Sequence, residues 1–384
     1  MTPHTIVIAP DSFKGTAGAA DAARAIAAGW ASVRPDDELR LMPMADGGEG
    51  TLEAFDLAVP GSRRMPVAVQ GPDDRPVDAY WLLLPDGTGV VELANTSGLG
   101  LLHPLRPLDA HTLGFGQAIA AALGHGVQRL LLAIGGSSST DGGAGALAAL
   151  GARFLDAPGR TVPSGNRGLG ALAELDLGGL RPLPPGGALV LSDVTNPLLG
   201  ADGAAAVFGP QKGASEPEVA LLEANLANLA GVVSSAGAGR PVADPATPGA
   251  GAAGGTGFGL LAWGATMAPG SAAVGEALGI PGALAGASVV VTGEGCFDAQ
   301  SAAGKVPSYL AAQAADAGAR AMLVAGLIEA DTAGFAAALS LADLAGSSAA
   351  AMGEPLLWLR RAGARLAESA FEAGGAGRAG SPGA

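Results

Sequence analysis

The stretch Thr5-Ile6-Val7-Ile8-Ala9-Pro10-Asp11-Ser12-Phe13-Lys14-Gly15 reads as a short apolar strand running into a polar loop, and residues 17–33 follow as an Ala-rich helix. The unit then repeats. A second apolar run over 39–43 ends in Ala45-Asp46-Gly47-Gly48-Glu49-Gly50-Thr51, after which Leu52, Phe55 and Val59 mark one helical face. Alternation of this kind predicts an α/β fold with a parallel sheet, whose functional loops lie at the carboxyl ends of the strands. Both polar loops lie at that end.

Further along, residues 65–69, 77–84 and 88–93 are β-rich, with Asp86-Gly87 as a turn, and predict an antiparallel stretch. The α/β rhythm returns with a helix over 110–123, a strand over 128–134, and the loop Gly135-Gly136-Ser137-Ser138-Ser139-Thr140-Asp141-Gly142-Gly143-Ala144-Gly145. A strand over 188–191 runs into Ser192-Asp193-Val194-Thr195-Asn196-Pro197. In a helix over 217–234, Val219, Leu222, Leu226, Leu229 and Val233 form one buried stripe. Residues 237–259 read as a long loop, 301–317 as a helix after the strand 288–292, and 320–325 and 342–344 as short strands. The first and last portions are alike and the middle differs. A helix over 355–371 precedes a Gly/Ala/Ser/Pro tail, 374–384, read as disordered.

Composition bounds the function. The chain has 384 residues, enough for one large or two medium domains, and is 49% hydrophobic and 15% charged. No stretch reads as a membrane span, and a net charge of −14 opposes nucleic acid and anionic lipid as partners. The single cysteine, Cys296, forms no intramolecular disulfide, and the opening residues lack a signal-peptide pattern, so the cytoplasm is the expected compartment. Of 21 basic residues only Lys14, Lys212 and Lys305 are lysines, and each adjoins a glycine. Where Arg carries nearly all positive charge, an isolated lysine marks a place for a compact ammonium group.

The loop at 135–145 has the small residues of a phosphate cradle leading into a helix, though it matches neither a Walker A sequence nor the full dinucleotide fingerprint. The plain alternative is a Gly-rich joint in a chain with 63 glycines. Acidic residues recur at strand ends: Asp11, Asp46, Glu49, Asp141, Asp193, Glu294 and Asp298. One alone would be a turn or a helix cap. Seven, with three lysines in the same kind of loop, suit phosphoryl transfer, which needs carboxylates for Mg²⁺, cations for phosphates and one base for the attacking hydroxyl. His4, His103, His111 and His125 lack metal-ligand spacing, the serines at 137–139 lack a nucleophile elbow, and the aromatics are scattered.

Together, the runs 9–14, 45–51, 135–145, 193–198, Phe208-Gly209-Pro210-Gln211-Lys212-Gly213-Ala214, 251–257, Thr292-Gly293-Glu294-Gly295 and Gly304-Lys305-Val306-Pro307 resemble the bacterial type I glycerate kinase family, the glycerate 2-kinases, over nearly the whole chain. The resemblance implies transfer of the γ-phosphoryl group of Mg-ATP to D-glycerate, usually at the 2-hydroxyl. It also implies a discontinuous flavodoxin-like α/β domain (1–60 and 286–373) interrupted by a mixed α/β domain (61–285). Three positions depart from the family pattern: Cys296 stands where Arg is usual, Thr140 where Asn is, and Leu327 where Ser is.

On this reading, Lys14 and Lys212 neutralise the phosphoryl group, and Asp46, Glu49 and Asp193 share Mg²⁺ binding and hydroxyl deprotonation, Asp193 being the first choice as base. Gly135, Gly136, Ser137, Ser138, Ser139, Asp141 and Gly142 take ATP; Asp11, Ser12, Asn196, Glu294, Asp298 and Lys305 take substrate, the last three at the domain boundary. Expected partners are glycerate and ATP alone, with a homo-oligomer left open. The runners-up are a kinase for another small hydroxy acid and a nucleotide or metabolite sensor. An NAD-dependent oxidoreductase, resting on Gly255-x-Gly257-x-Gly259, stands third.

Overall fold

The computed structural model describes residues 3–13, 15–236, 243–302 and 305–371. Its strands are β1 (Thr5–Pro10), β2 (Glu38–Leu41), β3 (Arg63–Gln70), β4 (Pro76–Leu83), β5 (Thr88–Glu92), β6 (Arg129–Ala133), β7 (Arg153–Asp156), β8 (Leu172–Asp176), β9 (Ala188–Leu191), β10 (Thr266–Ala268), β11 (Val289–Phe297), β12 (Arg320–Ile328) and β13 (Ala337–Ser340). The chain folds into two compact units, Met1–Met44 with Gly279–Ala384, and Ala45–Leu278. Against the expected cuts at 60 and 285, helix Thr51–Ala58 goes with the second unit, because it packs on β4 and β5.

The first unit holds a five-stranded, wholly parallel sheet in the order β13-β12-β11-β1-β2. Parallel strands covered on both faces read as unbroken apolar runs, as Ile6-Val7-Ile8 and Val289-Val290-Val291 do. Ile6, Ile8, Val289, Val291, Met322 and Val324 share a core with Trp30 of helix Ala19–Val33 and with Leu359 and Leu366 of helix Pro355–Ser369. Counted within the unit, the strand order is 2-1-3-4-5, and its direction reverses between β1 and β11. Open sheets of this kind form a crevice at that point.

The second unit's six-stranded sheet runs β10-β9-β6-β5-β4-β3. β5, β6, β9 and β10 are parallel, and β4 and β3 continue antiparallel, as the β-rich stretch predicts. Phe115, Ile119, Leu132, Leu147, Leu226 and Phe258 lie in its core. A separate two-stranded antiparallel sheet, β7 with β8, has no counterpart in the sequence reading.

Two segments differ from expectation. Within 237–259, read as loop, the segment Ala252–Trp263 breaks at a kink with left-handed backbone at Ala253, Gly254 and Gly255, and runs as regular helix only after it, so the loop reading fails from Thr256. Glycine content hid a helix whose Phe258 and Leu260 are buried. Residues 342–344, read as strand, lie in helix Leu341–Ala345, because the Ser340 hydroxyl accepts the Asp343 N–H and starts a helix where β13 ends. Among the described residues one helix, Glu216–Ala236, has the length and mean hydropathy of a membrane span, contrary to the expectation of none. It uses its apolar stripe on the core: Leu222, Leu226, Leu229 and Val233 are buried there, with Asn225. The disordered-tail expectation for 374–384 lies outside the described residues.

Candidate functional site

At the carboxyl edge of the second sheet, register places Glu92 of β5 beside Ala133 of β6, and Ala133 beside Leu191 of β9. The chain leaves this row as Gly135-Gly136 after β6 and Ser192-Asp193 after β9. Across the same edge lies the loop 45–50. Gly47 sits on Leu191, with no space for a side chain, and its carbonyl accepts the Gly135 N–H at 3.0 Å. A Cβ on Gly135 would stand 2.5 Å from the Gly48 Cα. These approaches bring Asp46 and Asp193, 147 positions apart in sequence, to one place.

Asp193 is held by a helix start. Its Oδ1 accepts the Gly270 N–H at 2.7 Å and its Oδ2 the Ser271 N–H at 3.4 Å, at the beginning of helix Gly270–Leu278. Burial pushes the Asp193 carboxyl above its usual range, the negative charge of Asp46 adds to this, and the two N–H groups oppose it. The Asp46 Oδ1 accepts the Gly48 N–H at 3.0 Å. Glu49 is exposed on the same loop, and its Cβ lies 4.0 Å from where a Cβ on Gly136 would be.

The Gly-rich loop turns inward after Gly136. Gly136 is exposed, whereas Ser137, Ser138, Ser139 and Thr140 are buried. Ser138 donates its hydroxyl to the Ser97 carbonyl at 2.8 Å. Lys212, 2% exposed, donates to the Ser137 hydroxyl at 2.8 Å and to the Ser139 carbonyl. Burial pushes the Lys212 ammonium down to about 7, against the opposing pull of Asp141. The Asp141 carboxylate, fully buried, accepts from the Thr112 N–H and hydroxyl, both at 2.8 Å, and from the N–H groups of Gly143 and Gly145. Gly142, at φ +63°, donates its N–H to the Gly254 carbonyl. Asn196 closes its own loop through the Asp202 carbonyl, at 2.8 Å. Lys212 and Asp141 therefore brace the loop from beneath, while Asp46, Glu49 and Asp193 flank half-buried Gly135 and exposed Gly136.

In the first unit, Asp11 ends β1 beside β11, at the reversal of strand order. Its N–H donates to the Gly293 carbonyl at 2.8 Å and its carboxylate accepts the Ser12 N–H at 2.6 Å. Glu294 is buried on β11. The Asp298 carboxylate accepts the N–H and hydroxyl of Ser301, and Lys305 precedes helix Val306–Ala317. Cys296 is exposed, its thiol 3.8 Å from Glu329. Lys14 lies outside the described residues.

Sequence reading passed over Glu92, Thr112, Gly270 and Ser271. Glu92 carried the signal used elsewhere, an acidic residue ending an apolar strand, and Pro269-Gly270-Ser271 had the composition of a helix start. No group of three or more His, Cys, Asp or Glu among the described residues is arranged to hold a metal ion. Asp46 and Asp193 nonetheless fit Mg²⁺, which binds through one or two carboxylates plus waters and substrate phosphates rather than in an all-protein cage. After burial, the Asp46 charge is what raises the Asp193 carboxyl, and repulsion of that kind is relieved by a divalent cation.

The model of the glycerate kinase family matches residues 6–370. The chain is 42% identical over 307 residues to the glycerate 2-kinase of Escherichia coli K12, covering 79% of this chain and 80% of that one. It is 42% identical over 332 residues to the glycerate kinase of Bacillus subtilis 168, covering 85% and 86%. A crystal structure described as "putative glycerate kinase 2 from Salmonella typhimurium LT2" superposes with a TM-score of 0.83 at 37% identity, over 96% of this chain and 98% of that one. With a family match over nearly its whole length and relatives of this identity over most of their own, the chain belongs to the glycerate kinase family.

Proposed function

We propose that this chain transfers the γ-phosphoryl group of Mg-ATP to the 2-hydroxyl of D-glycerate, giving 2-phosphoglycerate and ADP. The observation that carries this reading is the Asp46–Asp193 pair beside half-buried Gly135 and exposed Gly136, in a chain whose relatives are named glycerate kinases. A carboxylate has about four lone-pair sites, and Asp193 receives two N–H groups and the Ser271 hydroxyl, which leaves one for the substrate hydroxyl. Asp193 takes that proton as the new O–P bond forms, and the bond from the γ-phosphorus to the bridging oxygen breaks to release ADP. The raised Asp193 carboxyl is more basic than an ordinary aspartate, which suits the task.

Asp46 and Glu49 would hold Mg²⁺, with Asp193 at its margin; the ion supplies charge neutralisation for the transferring phosphoryl group. The exposed main chain at Gly136 takes nucleotide phosphates. Lys212 acts on that loop from below, through Ser137 and Ser139, rather than at the phosphoryl group. In the second unit, Asn196 is the proposed substrate contact beside Asp193; in the first unit, Asp11, Ser12, Glu294, Asp298 and Lys305 are the candidate substrate residues.

The test is incubation with Mg-ATP and D-glycerate, with ADP release followed enzymatically and the product resolved by phosphorus NMR. Stoichiometric 2-phosphoglycerate supports the reading, and 3-phosphoglycerate overturns its regiochemistry. ATP binding without glycerate-dependent ADP release overturns the substrate.

A further inference from the structure

Helix Thr51–Ala58 begins at Gly50, which lies in left-handed backbone at φ +93° and has no side chain with which to cap it. The first N–H groups of a helix need acceptors. Here the acceptor comes from forty positions away. The Glu92 carboxylate, 4% exposed at the end of β5, receives the Leu52 N–H on Oε2 at 3.1 Å, and the nearby Gly50 N–H favours its charge. Gly50 directly follows Glu49, and the same loop carries Asp46 across the edge of β6 and β9.

We infer that Glu92 is a positioning residue for the phosphoryl-transfer site: from the sheet it clamps the main chain of Gly50 and Leu52, and so fixes where Asp46 and Glu49 stand. This rests on reading those two carboxylates as the Mg²⁺ side of the kinase site. A local Ser or Asn cap would hold the helix start only to its own loop, whereas Glu92 ties it to β5, which is hydrogen-bonded to β6, the strand that delivers Gly135. The arrangement is electrostatically expensive. Burial, with Glu53 and Glu49 nearby, pushes the Glu92 carboxyl up to about 7 against the two N–H groups that favour its charge, and Tyr80 of β4 lies in the same field. A buried acid among acids is a poor choice for stability alone. The clamp needs only an acceptor oxygen, and so holds in either protonation state.

The full-length chain is compared with Glu92→Gln, Glu92→Asp and Glu92→Leu by hydrogen–deuterium exchange over residues 46–56, and by titration with Mn²⁺ alone. Gln keeps an acceptor oxygen at the same reach, Asp keeps the charge but withdraws it by one methylene, and Leu removes both. The expected result is exchange over 46–56 at least about tenfold faster in the Leu and Asp variants, with strands 129–133 and 188–191 unchanged, and within about threefold of wild type for Gln. Mn²⁺ affinity falls at least about fivefold in Leu and Asp and is kept in Gln. Should the Leu variant not fold, the Asp–Gln contrast decides. Wild-type exchange in the Asp variant, or a Gln variant as loose as Asp, overturns the clamp. The expected exchange pattern without Mn²⁺ binding by wild type overturns its bearing on the metal side. The expected exchange and Mn²⁺ patterns in a protein that does not phosphorylate glycerate leave Glu92 as the clamp and remove the glycerate reading.

Discussion

Gly270 joins the two acidic loops of the site: its N–H donates to Asp193 Oδ1 at 2.7 Å, and its Cα faces the Asp46 carbonyl with no space for a side chain. Gly270→Ala must therefore push the Asp46 main chain away from Asp193. Overpacking of this kind costs about 1–3 kcal/mol. We expect a correspondingly lower Tm and a kcat reduced on the order of tenfold or more, since a displacement of about 1 Å at a reacting group can cost 10²-fold. Gly231→Ala, in open space on helix Glu216–Ala236, is the control and should leave kcat unchanged and Tm unchanged or higher. Equal Tm losses in the two variants with equal rates would show that the contact at 270 has no bearing on the site.

Asp193→Asn separates the two tasks of this side chain. The amide oxygen still accepts the Gly270 N–H, so the helix start is kept, but proton acceptance is lost. We expect kcat to fall by about 10²–10⁴ with little change in Tm, and a loss below about threefold removes Asp193 as the base. The pH profile provides a second reading. Because burial and then Asp46 raise this carboxyl, the unprotonated form accumulates only above an ordinary aspartate pKa, so the acid limb of kcat/KM lies high and moves down in Asp46→Asn.

Lys212 makes a stability prediction with a definite sign. Its ammonium is pushed down to about 7 by burial, whereas in the unfolded chain it titrates near 10.5. Between those values the unfolded state binds more protons, so this residue's contribution to folding improves as pH rises from about 7 and is least favourable below it. Relative to Lys212→Met, the wild type should therefore gain up to about 1.4 kcal/mol per pH unit between pH 7 and 9 in urea unfolding. A constant difference across that range would place Lys212 in contact with water. The variant should also raise KM for ATP, because Ser137 and the Ser139 carbonyl lose the donor that braces them.

The chain's α/β character was legible because parallel strands buried on both faces leave unbroken apolar runs, as at Ile6-Val7-Ile8 and Val289-Val290-Val291. Asp46, Glu49 and Asp193 were legible because an acidic residue next to glycine or a small polar residue at a strand end is a local signal. Partnership is not local. Nothing near Lys212 in sequence indicates that its ammonium would turn inward to the Ser139 carbonyl, and nothing near Asp141 announces Thr112. Glu92 escaped because its acceptor role depends on a helix start forty positions earlier. The helix ending at Trp263 was hidden by the glycines that let the kink before it run left-handed against Ser139 and Gly142.

Cys296 stands among acids in the first unit. Burial, then Glu329, Asp298 and Glu294, push its thiol above the usual range, although the side chain is exposed. The thiolate is the reactive form, so accessibility and reactivity part company here. Iodoacetamide at pH 8.5 should label Cys296 several-fold more slowly than free glutathione. Glu329→Gln removes the largest of the charge effects while keeping an acceptor oxygen for the thiol, and should accelerate labelling while leaving the fold intact. Mass spectrometry of the modified peptide reads the rate directly. Labelling faster than glutathione, or a rate indifferent to Glu329→Gln, would mean that the neighbouring carboxylates do not control this thiol.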